Sequence, residues 1–127
     1  MIRIYGLAER LNPVKRQLSD VINQCMVDAL AFPSNKRAHR FFPMQREDFY
    51  FPEGRSDAYT VIEIAMMKGR SGEAKKNLIR LLFERMENVA GIAPVDVEIS
   101  ITDIPPAQWG FRGITGDEAA LDYRIDV

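Results

Sequence analysis

The sequence carries the same strand-helix-strand pattern twice, and this duplication limits the fold more than any other feature. Apolar runs at residues 2–7 and 59–67 indicate strands, and each run precedes an amphipathic helix and a second strand. An offset of 61 positions takes Leu18 to Ile79, Val21 to Leu82, Ile22 to Phe83, Cys25 to Met86, Ala29 to Ala90 and Pro33 to Pro94. The order of elements is the same in both halves, so we interpret the chain as two fused copies of one unit.

Local signals predict where both helices begin and end. The pair Asn12-Pro13 is typical of a helix start, since asparagine is a good N-cap and proline is tolerated at the first helical position. This first helix is predicted to end near Leu30. Ser71 is predicted to cap the second helix, and Gly91 suits the left-handed position that ends one.

Two further strands complete the units, a short aromatic one at about residues 38–42 and an alternating one that contains Val95, Val97, Ile99 and Ile101. Strands of a β-α-β unit pair in parallel through a right-handed crossover. We therefore expect an α/β (α+β) fold with a four-stranded mixed sheet and both helices on one face. Residues 1–127 form a single domain in this interpretation, with pseudo-repeats at about 1–43 and 59–103.

A C-terminal arm, residues 104–127, belongs to neither repeat. Its last residues alternate apolar with polar, through Leu121, Tyr123, Ile125 and Val127. Such a strand can pair at an edge of its own sheet or at the edge of a neighbouring subunit. We favour the neighbouring subunit, because one face of the sheet still has to be covered.

Composition excludes several classes of function. A net charge of -1 lacks the basic excess that drives nucleic-acid binding, and no apolar run approaches the ~20 residues of a membrane span. One Cys and one His are too few for a typical metal site. Neither GxGxxG nor GxxxxGK[ST] follows a strand, which disfavours nucleotide binding. No export segment is recognisable at the N-terminus. We expect a cytoplasmic protein with no nucleic-acid or membrane partner, no metal and no cofactor.

Two segments carry residues suited to chemistry. At Lys68-Gly69-Arg70-Ser71 a helix starts beside two cations, and helix N-termini and arginine both bind carboxylates. An ordinary solvated turn explains the same residues, and on these residues alone is the more common outcome. In the segment 108–113, Trp109 and Phe111 stand among glycines, either as an apolar wall for a substrate or as a plug over the core.

The order of these motifs resembles the tautomerase superfamily. Residues 61–113 are similar to 4-oxalocrotonate tautomerase in the Gly-Arg-Ser helix start, the Lys-x-x-Leu-Ile-Arg helix and the aromatic-glycine tail. The whole chain resembles malonate semialdehyde decarboxylase, through the Met-Val-Asp-Ala helix end, the Pro-x-Asn-x-Arg turn and the Trp-x-Phe loop. The resemblance implies homotrimers of fused units and active sites at the start of the first strand.

The resemblance also assigns roles to individual residues. Arg70 matches the arginine that holds the substrate carboxylate, and Lys68 takes the place of a second arginine of the decarboxylase. Arg37 matches a further substrate-binding arginine, and Trp109 and Phe111 match the apolar wall. The expected ligand is therefore a small carboxylate.

The chain departs from the family at the catalytic residue, because it starts Met1-Ile2 where an N-terminal proline is the usual acid or base. Ile2 is too large for routine methionine removal, so the Met1 amine is expected to take that role. Desolvation and nearby cations lower an amine pKa from its usual ~7.7–8.0. Lys36 stands in place of the decarboxylase's aspartate, which disfavours decarboxylation by the same mechanism.

The sequence thus predicts a tautomerase (isomerase)-like protein that transfers a proton between enol and keto forms of a small carbonyl acid. The alternative is a non-catalytic binding or assembly protein that keeps the fold without the proline. His39 is assigned a structural role, because a lone histidine on a strand is more often structural than catalytic.

Overall fold

The computed structural model describes residues 1–127, and its main sheet has the predicted two-unit layout. The strands are β1 (Ile2–Leu7), β2 (His39–Met44), β3 (Thr60–Met67) and β4 (Val97–Ile104), in the order β2-β1-β3-β4. β1 pairs with β2 in parallel, and β3 pairs with β4 in parallel. The two units meet where β1 and β3 run antiparallel, so the mixed four-stranded sheet is confirmed.

Three helices accompany the sheet: α1 (Ala8–Leu11), α2 (Lys15–Leu30) and α3 (Gly72–Ala90). The two long helices share one apolar core with the inward side chains of β1 and β3, including Ile2, Ile4, Leu18, Ile22, Ile62, Ile64, Leu78 and Leu82. Alternate strand residues point to the same face, so α2 and α3 both cover one face of the sheet, as predicted. No helix here combines the length and apolar character that crossing a bilayer requires.

The offset between the two units is 60 residues, and the predicted offset of 61 is wrong by one. Buried Ile2 and Ile4 of β1 correspond to buried Ile62 and Ile64 of β3, and the C-caps of the two long helices, Ala31 and Gly91, are also 60 positions apart. When the two long helices are aligned with an error of one residue, their positions differ by only about 100° around the helix axis. Their broad apolar stripes therefore still overlap. The same shift moves every strand side chain to the opposite face, and the strands therefore determine the offset.

The predicted start of the first long helix is also wrong. Asn12 is the C-cap of the four-residue helix α1, and Val14 stands at the N-cap of α2 without a side-chain hydrogen bond. The buried Leu11 holds α1 against the core, so that an extra helical turn precedes Pro13. In the second unit the prediction is confirmed, since Ser71 Oγ accepts a 3.1 Å bond from Ala74 N–H.

The C-terminal arm does not form the predicted terminal strand at residues 121–127. Two short strands, β5 (Gly110–Phe111) and β6 (Ile114–Thr115), form a separate hairpin before it. Ser71 N–H donates to Val127 O at 2.8 Å, and the Ile125 side chain packs on Gly69. Ile125 and Val127, both half-buried, therefore lie at the start of α3 in their own chain. Pairing of the arm with a neighbouring subunit stays a prediction.

The C-caps of α2 and α3 occupy equivalent positions in the two units, and both adopt the left-handed conformation. Ala31 ends α2 with φ 53°, whereas Gly91 ends α3 with φ 70° and has nothing within 4 Å of an added Cβ. Left-handed geometry costs a non-glycine residue about 1–2 kcal/mol in the folded state. Alanine offsets about 0.4–1 kcal/mol of this cost, because it leaves the unfolded chain fewer conformations than glycine does. Gly91→Ala should lower the free energy of unfolding by up to about 1.6 kcal/mol, and Ala31→Gly should raise it similarly.

Urea denaturation of both variants at one chain concentration measures these changes. Shifts of the same sign in the two variants would contradict the conformational explanation.

Candidate active site

A cavity of about 440 Å³ lies at the edge of the sheet where β1 and β2 begin. The end of β3 meets this edge because β3 runs antiparallel to β1, and the loop after β4 closes one side. Five of the six site residues predicted from the sequence line the cavity, namely Met1, Arg37, Arg70, Trp109 and Phe111.

The Met1 amine is held in place by the sheet. It donates to Ala65 O at 2.9 Å, and Met1 O accepts from Ala65 N–H at 2.8 Å. Burial first, then the positive charges of Arg40, Arg70 and Arg3, lower the pKa of the amine from 8.0 to about 6. The amine is therefore mostly neutral at pH 7 and free to accept a proton.

Arg70 is the buried cation of the cavity, with only 6% of its surface exposed. It takes part in no salt bridge, its Nη1 donates a long 3.4 Å bond to Met67 O, and its Nε has no partner. Burial lowers the pKa of the guanidinium, and Tyr123 and Asp103 partly oppose this. A buried charge without a counterion is costly, and a bound carboxylate would relieve that cost.

Arg37 lies at the rim of the cavity and is already partnered. Its Nη1 donates to Asp20 Oδ1 at 2.7 Å and to Ser19 Oγ at 3.0 Å. Lys68, by contrast, is exposed and does not line the cavity. The chain turns immediately after β3 at this residue, so the predicted pair Lys68 and Arg70 does not converge on one site.

The hairpin of β5 and β6 positions the aromatic wall. Trp109 O accepts a 2.6 Å bond from Gly116 N–H, and a Cβ at Gly116 would lie 2.6 Å from Pro106 O. Only glycine permits this approach. The Arg112 guanidinium lies 4.9 Å from the centre of the Phe111 ring, and both residues line the cavity.

Sequence reasoning missed part of the lining, above all Tyr123 and His39. The Tyr123 ring packs on Phe32 at 5.3 Å and lies 5.1 Å from Lys36 Nζ. Lys36 in turn pairs with Asp122 at 2.6 Å, which fixes the arm over the cavity. The parallel register of β1 and β2 was the signal for His39, because it places the first residue of β2 beside Ile2.

The cavity lining is cationic. Its charged side chains are those of Lys36, Arg37, Arg70 and Arg112, and it contains no Asp or Glu side chain. The chain has no group of three or more His, Cys, Asp or Glu side chains placed to bind a metal ion. The arrangement suits a small anion with an apolar body, which cations and aromatic rings would hold beside a neutral amine.

Comparison with known proteins gives matches to tautomerases. A family model described as a tautomerase enzyme matches residues 36–112. The probable tautomerase YrdN of Bacillus subtilis (strain 168) is 32% identical over 101 residues, which cover 76% of this chain and 78% of that protein. The 2-hydroxymuconate tautomerase of Comamonas testosteroni is 32% identical over 56 residues, covering 44% of this chain and 89% of that protein.

Solved structures of two related kinds have the same fold. A malonate semialdehyde decarboxylase inhibited by 3-bromopropiolate is 26% identical, with a TM-score of 0.78 over 87% of this chain and 88% of that chain. A native fused 4-OT superposes with a TM-score of 0.82 at 21% identity, over 91% of this chain and 95% of that one. Other fused 4-OT proteins with this fold were solved as trimers.

The low pKa of the Met1 amine can be tested by removing single cations. Arg40 contributes more than Arg3 to lowering it and also contacts Met1 Sδ. Removing a positive charge stabilises the protonated amine, so Arg40→Gln should raise the amine pKa toward 8.0. Arg3→Gln, the matched control, should raise it less. NMR titration of the ¹³C-methylated amine measures both, and an unchanged pKa in Arg40→Gln would refute this electrostatic explanation.

Proposed function

The chain belongs to the tautomerase enzyme family, and on this premise we propose that it interconverts the enol and keto forms of a small carbonyl-containing carboxylic acid. One observation carries the proposal: a largely neutral amine and a buried, unpaired guanidinium line the same cavity. The amine supplies acid-base chemistry, and the guanidinium supplies a grip on the carboxylate. An isomerase needs neither a cofactor nor a second substrate for this reaction.

In the proposed reaction the Met1 nitrogen accepts the proton of the enol hydroxyl, so that the O–H bond breaks and an ammonium forms. The ammonium then gives a proton to the substrate carbon, where a C–H bond forms and the ketone results. The amine returns to its neutral state, and no atom is gained or lost. Its pKa of about 6 suits both steps, since general acid-base groups work best near the operating pH.

The remaining lining residues bind the substrate in this proposal. Arg70 holds the carboxylate from inside the cavity, and Arg37 contributes at the rim while it remains paired with Asp20. Trp109 and Phe111 exclude water, which strengthens the electrostatic interactions within the cavity. Lys68 is exposed outside the cavity and makes no contact with the substrate in this proposal.

We further propose that the protein assembles as a homotrimer in the cytoplasm. Both long helices lie on one face of the sheet, which leaves the face with Arg3, Tyr5, Glu63 and Ala65 half-exposed. Fused 4-OT proteins of the same fold form trimers. Light scattering on the eluted protein should give three times the chain mass of 14.5 kDa, and a monomer would contradict the trimer alone.

The role of Arg70 predicts a large effect of its removal. Charged hydrogen bonds contribute about 1.5–3 kcal/mol, so Arg70→Ala should lower kcat/KM for ketonisation of phenylenolpyruvate or 2-hydroxymuconate by roughly tenfold to a hundredfold. The exposed cation Lys68 provides the matched control, and Lys68→Ala should change kcat/KM less than about twofold. Equal rates for wild type and Arg70→Ala would defeat the proposed role.

The amine predicts the pH dependence of the reaction. Below a pH of about 6 the Met1 nitrogen is protonated and cannot accept the enol proton. The kcat/KM should therefore increase tenfold per pH unit well below that value and level off above it. If kcat/KM instead keeps rising until about pH 8.0, the ordinary pKa of the amine, then the cavity does not lower the pKa of this group.

The alternative, a non-catalytic binding protein, is favoured by one observation, the methionine in place of the family proline. It predicts that wild type and Arg70→Ala are equally inactive while the wild type still binds carboxylates. An intact-mass spectrum of the native protein shows whether Met1 is retained with a free amine, and an acylated or missing Met1 would exclude the proposed proton transfer.

A further inference from the structure

His39 lies in the cavity with one ring nitrogen engaged and the other free. As the first residue of β2 it pairs with Ile2, so it stands next to the start of β1. Its Nδ1 lies 2.8 Å from Ser19 Oγ, whereas its Nε2 makes no hydrogen bond within the chain. The half-buried ring therefore presents Nε2 as its available polar atom.

The contacts of Ser19 are compatible with a proton on Nε2 of His39. Ser19 Oγ accepts a 3.0 Å bond from Arg37 Nη1, and Asp20 holds the same Nη1 at 2.7 Å. A serine hydroxyl has one hydrogen. One of its two lone pairs accepts from the guanidinium, which leaves the hydrogen available for Nδ1 of His39. In the tautomer that the inference requires, the Ser19 hydroxyl donates to Nδ1 and the ring carries its own hydrogen on Nε2.

The surroundings keep this imidazole neutral. Burial first, then the charges of Arg37 and the Met1 amine, lower the pKa of His39 from 6.5 to about 4. Arg70, Lys36 and Arg112 line the same cavity, and no carboxylate there favours an imidazolium. At neutral pH His39 therefore offers a fixed N–H group without a positive charge.

Ketonisation has a use for such a group. When the enol hydroxyl loses its proton, negative charge develops on the oxygen before the carbon is protonated. A preorganised donor aimed at that oxygen stabilises the charge. A neutral imidazole is better suited than an imidazolium, because it keeps its proton and does not return the substrate to the enol.

We propose that His39 Nε2–H donates a hydrogen bond to the C2 oxygen of the enol acid as this oxygen becomes the ketone oxygen, with Ser19 and Arg37 fixing the ring. This inference rests on the proposed tautomerase function and adds to it an oxyanion donor on the first unit. His39 transfers no proton. The proton still moves from the enol oxygen to carbon through the Met1 amine, and Arg70 remains on the carboxylate.

Kinetics separate this role from a structural one. Loss of an oxyanion donor lowers kcat by about 100-fold or more, so His39→Ala should lower kcat to that extent for phenylenolpyruvate and change KM less than about threefold. His39→Gln keeps an N–H donor and should recover part of the lost kcat. Ser19→Ala frees the ring to change tautomer and should give an intermediate kcat. If His39→Ala keeps wild-type kcat while the wild type is active, the inference is overturned and the proposed function stands.

NMR gives a second readout that does not require turnover. His39 is the only histidine, so ¹⁵N imidazole signals belong to one ring. We expect the Nε2–H tautomer, a pKa near 4 and a shift of the Nε2 signal with phenylpyruvate, which has a C2 oxygen. Cinnamate, a similar acid that lacks this oxygen, should leave Nε2 unchanged.

The Nδ1–H tautomer, or an equal response to both acids, would overturn the role of His39. If neither acid binds and the wild type is inactive, the proposed function fails and this inference fails with it.

Discussion

The antiparallel pairing of β1 with β3 is the interaction on which the site depends. It joins the two units into one sheet, and its last two hydrogen bonds link Met1 with Ala65. The same pairing sets the end of β3 beside the start of β1, so that Arg70, just past β3, reaches the amine. Without this ladder the amine would be solvated, and neither its low pKa nor its proximity to Arg70 would follow.

Duplication supplied the scaffold but only one cavity of this kind. The second-unit residue equivalent to Met1 is Val61, which lies inside the chain and has no amine. The residue equivalent to His39 is Ile99, which packs against the core and carries no polar atom on its side chain. The first unit therefore supplies the amine and the imidazole, the second supplies the buried arginine, and the C-terminal arm supplies the aromatic hairpin.

Charge is distributed unevenly across the site. The outer cations have partners, Arg37 with Asp20 and Lys36 with Asp122, whereas the buried Arg70 has none. A folded protein seldom leaves a buried charge uncompensated, because desolvation is expensive. In the proposed function a bound carboxylate offsets this cost. Exposed pairs at the rim contribute little to stability themselves.

The sequence by itself determined the four-stranded mixed sheet and the helices on one face, because periodicity and caps such as Ser71 act within a few residues. The order of its motifs indicated the family through resemblance. It also indicated the residues around the cavity, from Met1 to Trp109. It did not determine the offset of 60, the path of the arm or the placement of His39 and Lys68. Those depend on strand register and on which way the chain turns after a strand, and contacts between residues far apart in sequence decide both.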